Sequence, residues 1–241
     1  MAYQHGQRLR LEGLTARPLD LRLAVNARAR RISIRIDARA GEAVVTAPSA
    51  RRLEEGVAFA RQKAVWIAER MAARPDGAPL APDAQILLHG RPVTLRATGG
   101  AGAARLVQTD EGMQIVSGGE GEAFSRRVQN LLKRLARQAL TERTDVHLKT
   151  LGQRPVTVSI ADTTSRWGSC SPHRRTIRYS WRVVMAPPEV LDYLAAHEVA
   201  HLVHADHSPA YWSVVQRLVG DHRPHRKWLR DHGGALHAVG R

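Results

Sequence analysis

Apolar residues follow two rhythms along this chain, and the switches between them mark its parts. Leu21, Leu23 and Val25 alternate with other residues, as do Ile32, Ile34 and Ile36, so the N-terminal region opens as paired strands. Ala40-Gly41 supplies a turn, and residues 42–47 read as a third strand ended by Pro48. Leu53, Val57, Ala60, Ala64, Ile67 and Met71 then recur at helical spacing, which predicts a helix near 50–73. Three prolines and a glycine between Arg74 and Pro82 read as a linker, so that a region of strands and helix over 1–83 precedes a core over 84–241. Strands return over 84–117, broken at Thr98-Gly99-Gly100-Ala101-Gly102 and stopped at Ser117-Gly118-Gly119-Glu120-Gly121.

Phe124, Val128, Leu131, Leu135 and Ala139 give one apolar face to a long helix over 122–150, with Gly152 at its end. Val156, Val158 and Ile160 alternate next, then Ile177, Tyr179, Trp181 and Val183, and the two runs read as a hairpin-like ribbon. Between them lies a polar loop, Thr163 to Pro172, too rich in special residues to be mere spacer. Helix, strands and further helices in this order make an α+β fold, with antiparallel strands expected at the N-terminus. No internal repeat is visible in the residues.

After the ribbon, Pro187-Pro188 and Glu189 suit a helix start, and Leu191, Ala195, Val199 and Leu202 give that helix an apolar face. On it stands His197-Glu198-Val199-Ala200-His201. Imidazoles at i and i+4 lie one above the other and can share one Zn²⁺ at about 2.0–2.1 Å. Glu198, turned roughly 100° away, can take a proton from water without being a ligand. A straight helix would carry His204 about 10.5 Å past His197, too far for one tetrahedral ion. Ser208-Pro209 reads as a cap and first residue of a new helix, so Ala205-Asp206-His207 becomes a turn. That turn can swing His207 back, making it the third candidate ligand ahead of His204. Tyr211, Trp212, Val215 and Leu218 form the next apolar face, read as core, with Gly220 as its stop.

Composition changes the picture modestly. Lys and Arg number 37 against 22 Asp and Glu, a net charge of +15 that attracts polyanions, so nucleic acid or nucleotide phosphates are candidate partners. Arg28-Ala29-Arg30-Arg31 is the densest basic cluster. Cys170 is the one cysteine, which excludes an intramolecular disulfide. No apolar run approaches the length of a membrane span, and the N-terminus lacks the layout of a secretory signal, so a cytoplasmic protein with no membrane partner is expected.

Taken together, Arg166-Trp167-Gly168-Ser169-Cys170, Tyr179-Ser180-Trp181-Arg182, Pro187, Tyr193, His197 to His201, His207-Ser208 and Tyr211-Trp212 resemble the YgjP-like metallopeptidase-domain family. Arg28 to Ile34 and Lys227-Trp228-Leu229 are similar to it too, so the resemblance spans most of the sequence. It implies a zincin-type core related to SprT and WLM domains, with zinc on His197, His201 and His207 and Glu198 as general base. His204 stands where metzincins carry glycine, and no Met-turn is seen, which sets this protein apart from that group. Some members of the resembled family are described as UTP pyrophosphatases.

Three functions therefore stand side by side. A zinc peptidase fits the site, and the strand Ile177–Val183 offers an edge for an extended peptide. UTP pyrophosphatase activity fits the charge, against the lack of a glycine-rich phosphate loop. A nucleic-acid module with structural zinc lacks the usual fourth ligand, although DNA can still serve such a protease as a docking surface. Arg166 is the candidate for holding an oxyanion or phosphate. Trp167 reads as core, Cys170 as no nucleophile, Asp206 as a turn former or a hydrogen-bond partner of a ligand histidine. His222, His225, His232 and His237 read as surface residues of a basic tail.

Overall fold

The computed structural model describes residues 3–37, 40–72, 78–163 and 166–240. The protein is α+β, in two units, Met1–Arg74 and Pro75–Arg241. In the first, β1 (Arg8–Leu11), β2 (Leu19–Val25), β3 (Ser33–Asp37) and β4 (Glu42–Ala47) form a sheet in the order β1-β2-β4-β3. β2 and β3 do not pair with each other. A turn at Gly41 (φ 68°) folds β3 onto β4, and β4, buried on both faces, takes the centre, antiparallel to β3 and parallel to β2. The N-terminal strands are thus antiparallel only in their outer pairs.

The helix expected near 50–73 is a 3₁₀ turn (Ala50–Arg52) followed by α1 (Leu53–Gln62) and α2 (Ala64–Ala72), with the break at Lys63. Its apolar stripe runs through the break: Leu53, Val57, Ala60, Ala64 and Ile67 are all buried. Gly56 lets α1 lie close on β4, since a Cβ there would come within 2.8 Å of Val45 Cγ1.

In the second unit, part of the segment read as linker is packed: Leu80 is buried and Ala78 bridges Val239. β5 (Gln85–Leu88), β6 (Arg91–Ala97), β7 (Arg105–Thr109) and β8 (Gly112–Ser117) form a sheet in the order β5-β6-β8-β7. Order and strand directions repeat those of the first sheet, a duplication not visible in the residues alone. His89 and Gly90, at φ 50° and 76°, make the two-residue turn of the β5–β6 hairpin. Their amides bond the carbonyls of Val184 and Met185 at 2.9 and 3.0 Å.

α3 (Gly121–Thr150) carries the long apolar face expected. Beyond it the ribbon expectation fails in one respect. β9 (Thr157–Ala161) and β11 (Thr176–Ser180) are parallel neighbours, and residues of the polar loop form β10 (Gly168–Ser171), antiparallel to β11 and at the sheet edge. β11 is consequently internal, and the edges of this sheet are β10 and β9. Trp181–Met185 is a buried 3₁₀ turn rather than strand. Within it Arg182 is held by Asp162 and by the Val239 carbonyl at 3.0 Å. The last three elements are α4 (Pro188–Ala200), α5 (Pro209–Val219) and α6 (Arg223–Ala238), where a basic tail was expected instead of α6. No helix among the described residues is long and apolar enough to cross a membrane.

Candidate metal centre

α4 begins at Pro188, capped by Pro187, with Glu189 in its first turn. It is not amphipathic in the way its sequence suggests. Val190, Leu191, Tyr193, Leu194, Ala195, Ala196, Val199 and Ala200 are all buried, so neighbours surround it. α3 fixes it by a polar clamp: Arg143 Nε and His147 Nε2 reach Asp192 Oδ1 at 2.6 and 2.7 Å. Burial pulls the Asp192 carboxyl upward, but those two hydrogen bonds outweigh it and leave it below the ordinary carboxylate value.

His197, His201 and His207 converge, with one nitrogen from each lying within 4.8 Å of the others. The Nε2 atoms of His197 and His207 face each other at 3.3 Å. Tetrahedral coordination at zinc–nitrogen bonds of about 2.0–2.1 Å puts neighbouring ligand atoms roughly 3.3 Å apart, so this edge fits such an ion. His207 reaches the cluster from the turn after α4: α4 ends, Asp206 Oδ1 accepts from the Ser208 amide at 3.3 Å, and Ser208 Oγ caps α5 by accepting from the Tyr211 amide at 3.4 Å. His204 contributes no side group to the cluster. Its backbone carbonyl meets His201 Nδ1 at 3.1 Å, so Nδ1 carries the proton and Nε2 keeps its lone pair.

Electrostatics favour neutral rings at His197 and His201. Burial, then the neighbouring His201 and His207, push His197 down to about 3, and burial likewise lowers His201. Neutral imidazole is the form that ligates a metal. Beneath the three rings lies Tyr211, fully buried, its hydroxyl donating to the His197 carbonyl at 2.9 Å. Glu198 is 4% exposed and pushed up to about 8 by burial. It lies against β10 at Gly168, where a Cβ would fall 2.6 Å from Glu198 Cδ and 2.7 Å from Cγ. Glycine there is a matter of space for the carboxylate.

Other candidates are distributed differently. Arg166 is exposed, and no hydrogen bond or ion pair among the described residues involves its guanidinium. Trp167 packs on α6, stacked on His237 at 4.1 Å and against Gly233, in keeping with a core role. Cys170 is half-buried, and burial with Glu198 nearby pushes its thiol up to about 11, which opposes a nucleophilic role. Trp212 is core only in part: its ring lies 5.7 Å from His207 and 4.5 Å from His222, with Arg226 stacked over it at 5.1 Å. Tyr193, His222, His225 and Arg226, not singled out for the site by their sequence context, line this side of the cluster. Only the i, i+3 and i+4 spacing of His222, His225 and Arg226 hinted at a shared helical face.

No curated protein matches this one in sequence. Among solved structures, the metallopeptidase zymogen of Pyrococcus abyssi abylysin is similar at 26% identity, over 39% of this protein and 92% of that one, with a TM-score of 0.35. The family model of the YgjP-like metallopeptidase domain matches residues 30–232, which include both sheets of the second unit, the histidine cluster and most of α6. The chain belongs to the YgjP-like metallopeptidase-domain family.

Proposed function

We propose that the protein is a zinc metallopeptidase, with His197, His201 and His207 as ligands and Glu198 as general base. The observation that carries this is the convergence of three imidazoles beside a buried carboxylate that is not one of them. Three protein ligands leave a fourth position open, as catalytic zinc sites do. The chemistry such an ion supplies when bound is Lewis acidity toward water and toward a carbonyl oxygen. Glu198 Oε takes the proton of the attacking water and passes it to the leaving amine nitrogen. Its elevated pKa suits that return, and a cation beside it favours the ionised form needed at the outset. The His204 carbonyl keeps His201 in one tautomer throughout. β10, with one side paired to β11 and the other free, offers main-chain groups to an extended peptide next to Glu198.

Elemental analysis of purified protein beside His207→Ala tests the ligand set: about one zinc per molecule is expected, lost or greatly weakened in the variant. Glu198→Gln then tests the chemistry, with peptide cleavage expected to fall by about 10²–10⁴-fold while zinc stays bound. Full cleavage by that variant would sink the mechanism. Pyrophosphate release from UTP, assayed alongside, tests the nucleotide alternative.

A further inference from the structure

Beside the histidine cluster, on the first turns of α6, stands a cation without a counter-ion. Arg226 is exposed, and its guanidinium makes no hydrogen bond or ion pair among the described residues. The nearest acidic residues of this stretch are engaged elsewhere, Asp221 by Arg223 and Asp231 by Lys227 and Arg230. The guanidinium is held 5.1 Å from the centre of the Trp212 ring, and that ring lies 6.0 Å from His197. Laid end to end, those distances place the guanidinium within about 11 Å of the His197 ring.

Tyr193 supplies the second observation. It is 4% exposed, and its hydroxyl, which makes no hydrogen bond among the described residues, is not one of the fully buried unpaired atoms and so keeps access to solvent. Its ring lies 5.9 Å from His197, 6.3 Å from His222 and 6.2 Å from His225, and its hydroxyl lies within the field of Arg226. A guanidinium, a phenol and two imidazoles, each able to donate, therefore stand on one side of the cluster. A hydroxyl that still meets solvent and has no protein partner can donate to a ligand oxygen. Arginine presents a planar fork matched to a carboxylate, and stacking on Trp212 holds that fork in one plane. Three residues of extended peptide span about 10 Å, comparable to that upper limit on the reach from the His197 ring to Arg226.

We infer that Arg226, with the Tyr193 hydroxyl beside it, forms a substrate subsite that receives a peptide carboxylate within three residues of the scissile bond. The subsite rests on the peptidase reading for its peptide. Both an acidic side group and a peptide C-terminus carry the group it recognises.

The test is a calorimetric titration of the zinc-loaded Glu198→Gln protein, with Arg226 intact and as Arg226→Glu. The probes are blocked alanine hexapeptides carrying one glutamate at each position in turn, their glutamine and lysine counterparts, and hexa-alanine with a free C-terminal carboxylate. With Arg226 intact, glutamate at one or two positions is expected to bind about 10- to 100-fold tighter than glutamine there, the range of a charge-assisted hydrogen bond. A free C-terminus outranking every internal glutamate identifies the peptide end as the natural source, and the reverse identifies an acidic residue within the peptide. Arg226→Glu should turn the preference toward lysine. Arg226 is exposed, so the variant keeps its fold, which circular dichroism checks. A glutamate-to-glutamine ratio that is the same in both proteins overturns the inference. So does a titration in which UTP binding, and not glutamate preference, is lost on Arg226→Glu. The peptidase reading fails separately, if the preference is found but protein with Glu198 intact cleaves none of the peptides.

Discussion

The two four-stranded sheets are the same object built twice. Each pairs its outer strands antiparallel and its middle strands parallel, and Leu21 opposite Ala43 corresponds to Leu95 opposite Ile115. The copies part at the next element. The first sheet continues into two short helices, and Val65 and Trp66 stay exposed. The second continues into the 30-residue α3, whose far end carries the Arg143 and His147 grip on Asp192. The module is a scaffold in both cases. Among the described residues, the histidine cluster lies in the unit whose helix is long enough to reach and hold α4.

The largest effects should separate the two copies. Leu21 and Leu95 are both fully buried, and truncation of either to alanine should cost roughly 2–5 kcal/mol. Thermal melts with zinc analysis are expected to show Leu95→Ala losing stability and zinc together, and Leu21→Ala losing stability with zinc retained. Equal zinc loss in both would break the comparison. Next, Gly168→Ala puts a methyl where the Glu198 carboxylate lies, and peptide turnover is expected to fall about 100-fold, near 2.7 kcal/mol in barrier, with zinc content unchanged. Zinc loss would mean instead that Gly168 shapes α4 as a whole.

The smallest effect is set by pH. Each unit holds, among its lowered carboxylates, one tied to a clamp between elements: Glu42, chiefly through the Arg22 hydrogen bond, and Asp192, where His147 and Arg143 overcome burial. A lowered folded pKa stabilises above the unfolded value and loses that contribution as pH falls through the folded one. Stability should therefore decline in acid, below about pH 4. Asp192→Asn should cost about 1–3 kcal/mol near neutrality and flatten the acid decline of the second unit alone. Chemical melts across about pH 2–7, followed at probes in each unit, measure it.

Local rules were legible in the residues and long-range ones were not. The break before His207 could be read because Ser208-Pro209 and Asp206 act within four residues of it. β10 escaped because Gly168–Ser171 has no alternation of its own and is a strand only by pairing with β11. The parallel β9–β11 pair escaped for the same reason, since alternation says nothing about direction. α6 was hidden by Gly233-Gly234, yet Gly233 is there to admit Trp167, whose ring would meet a Cβ at 3.1 Å. Arg166 drew attention by its neighbours in sequence, whereas Arg226 reaches the histidine cluster through tertiary packing on Trp212.

The His201–His204 contact has a dynamic meaning. The turn that ends α4 is held by amides of Leu202, Val203 and His204 bonded at 3.0 Å to the carbonyls of Val199 and Ala200. Helix ends fray first, on timescales far shorter than global unfolding. Here fraying carries off the carbonyl that holds the His201 proton in place. In the proposed centre, opening of this one turn and loosening of the His201 ring are the same event, which would tie the lifetime of a bound ion to the breathing of the helix end.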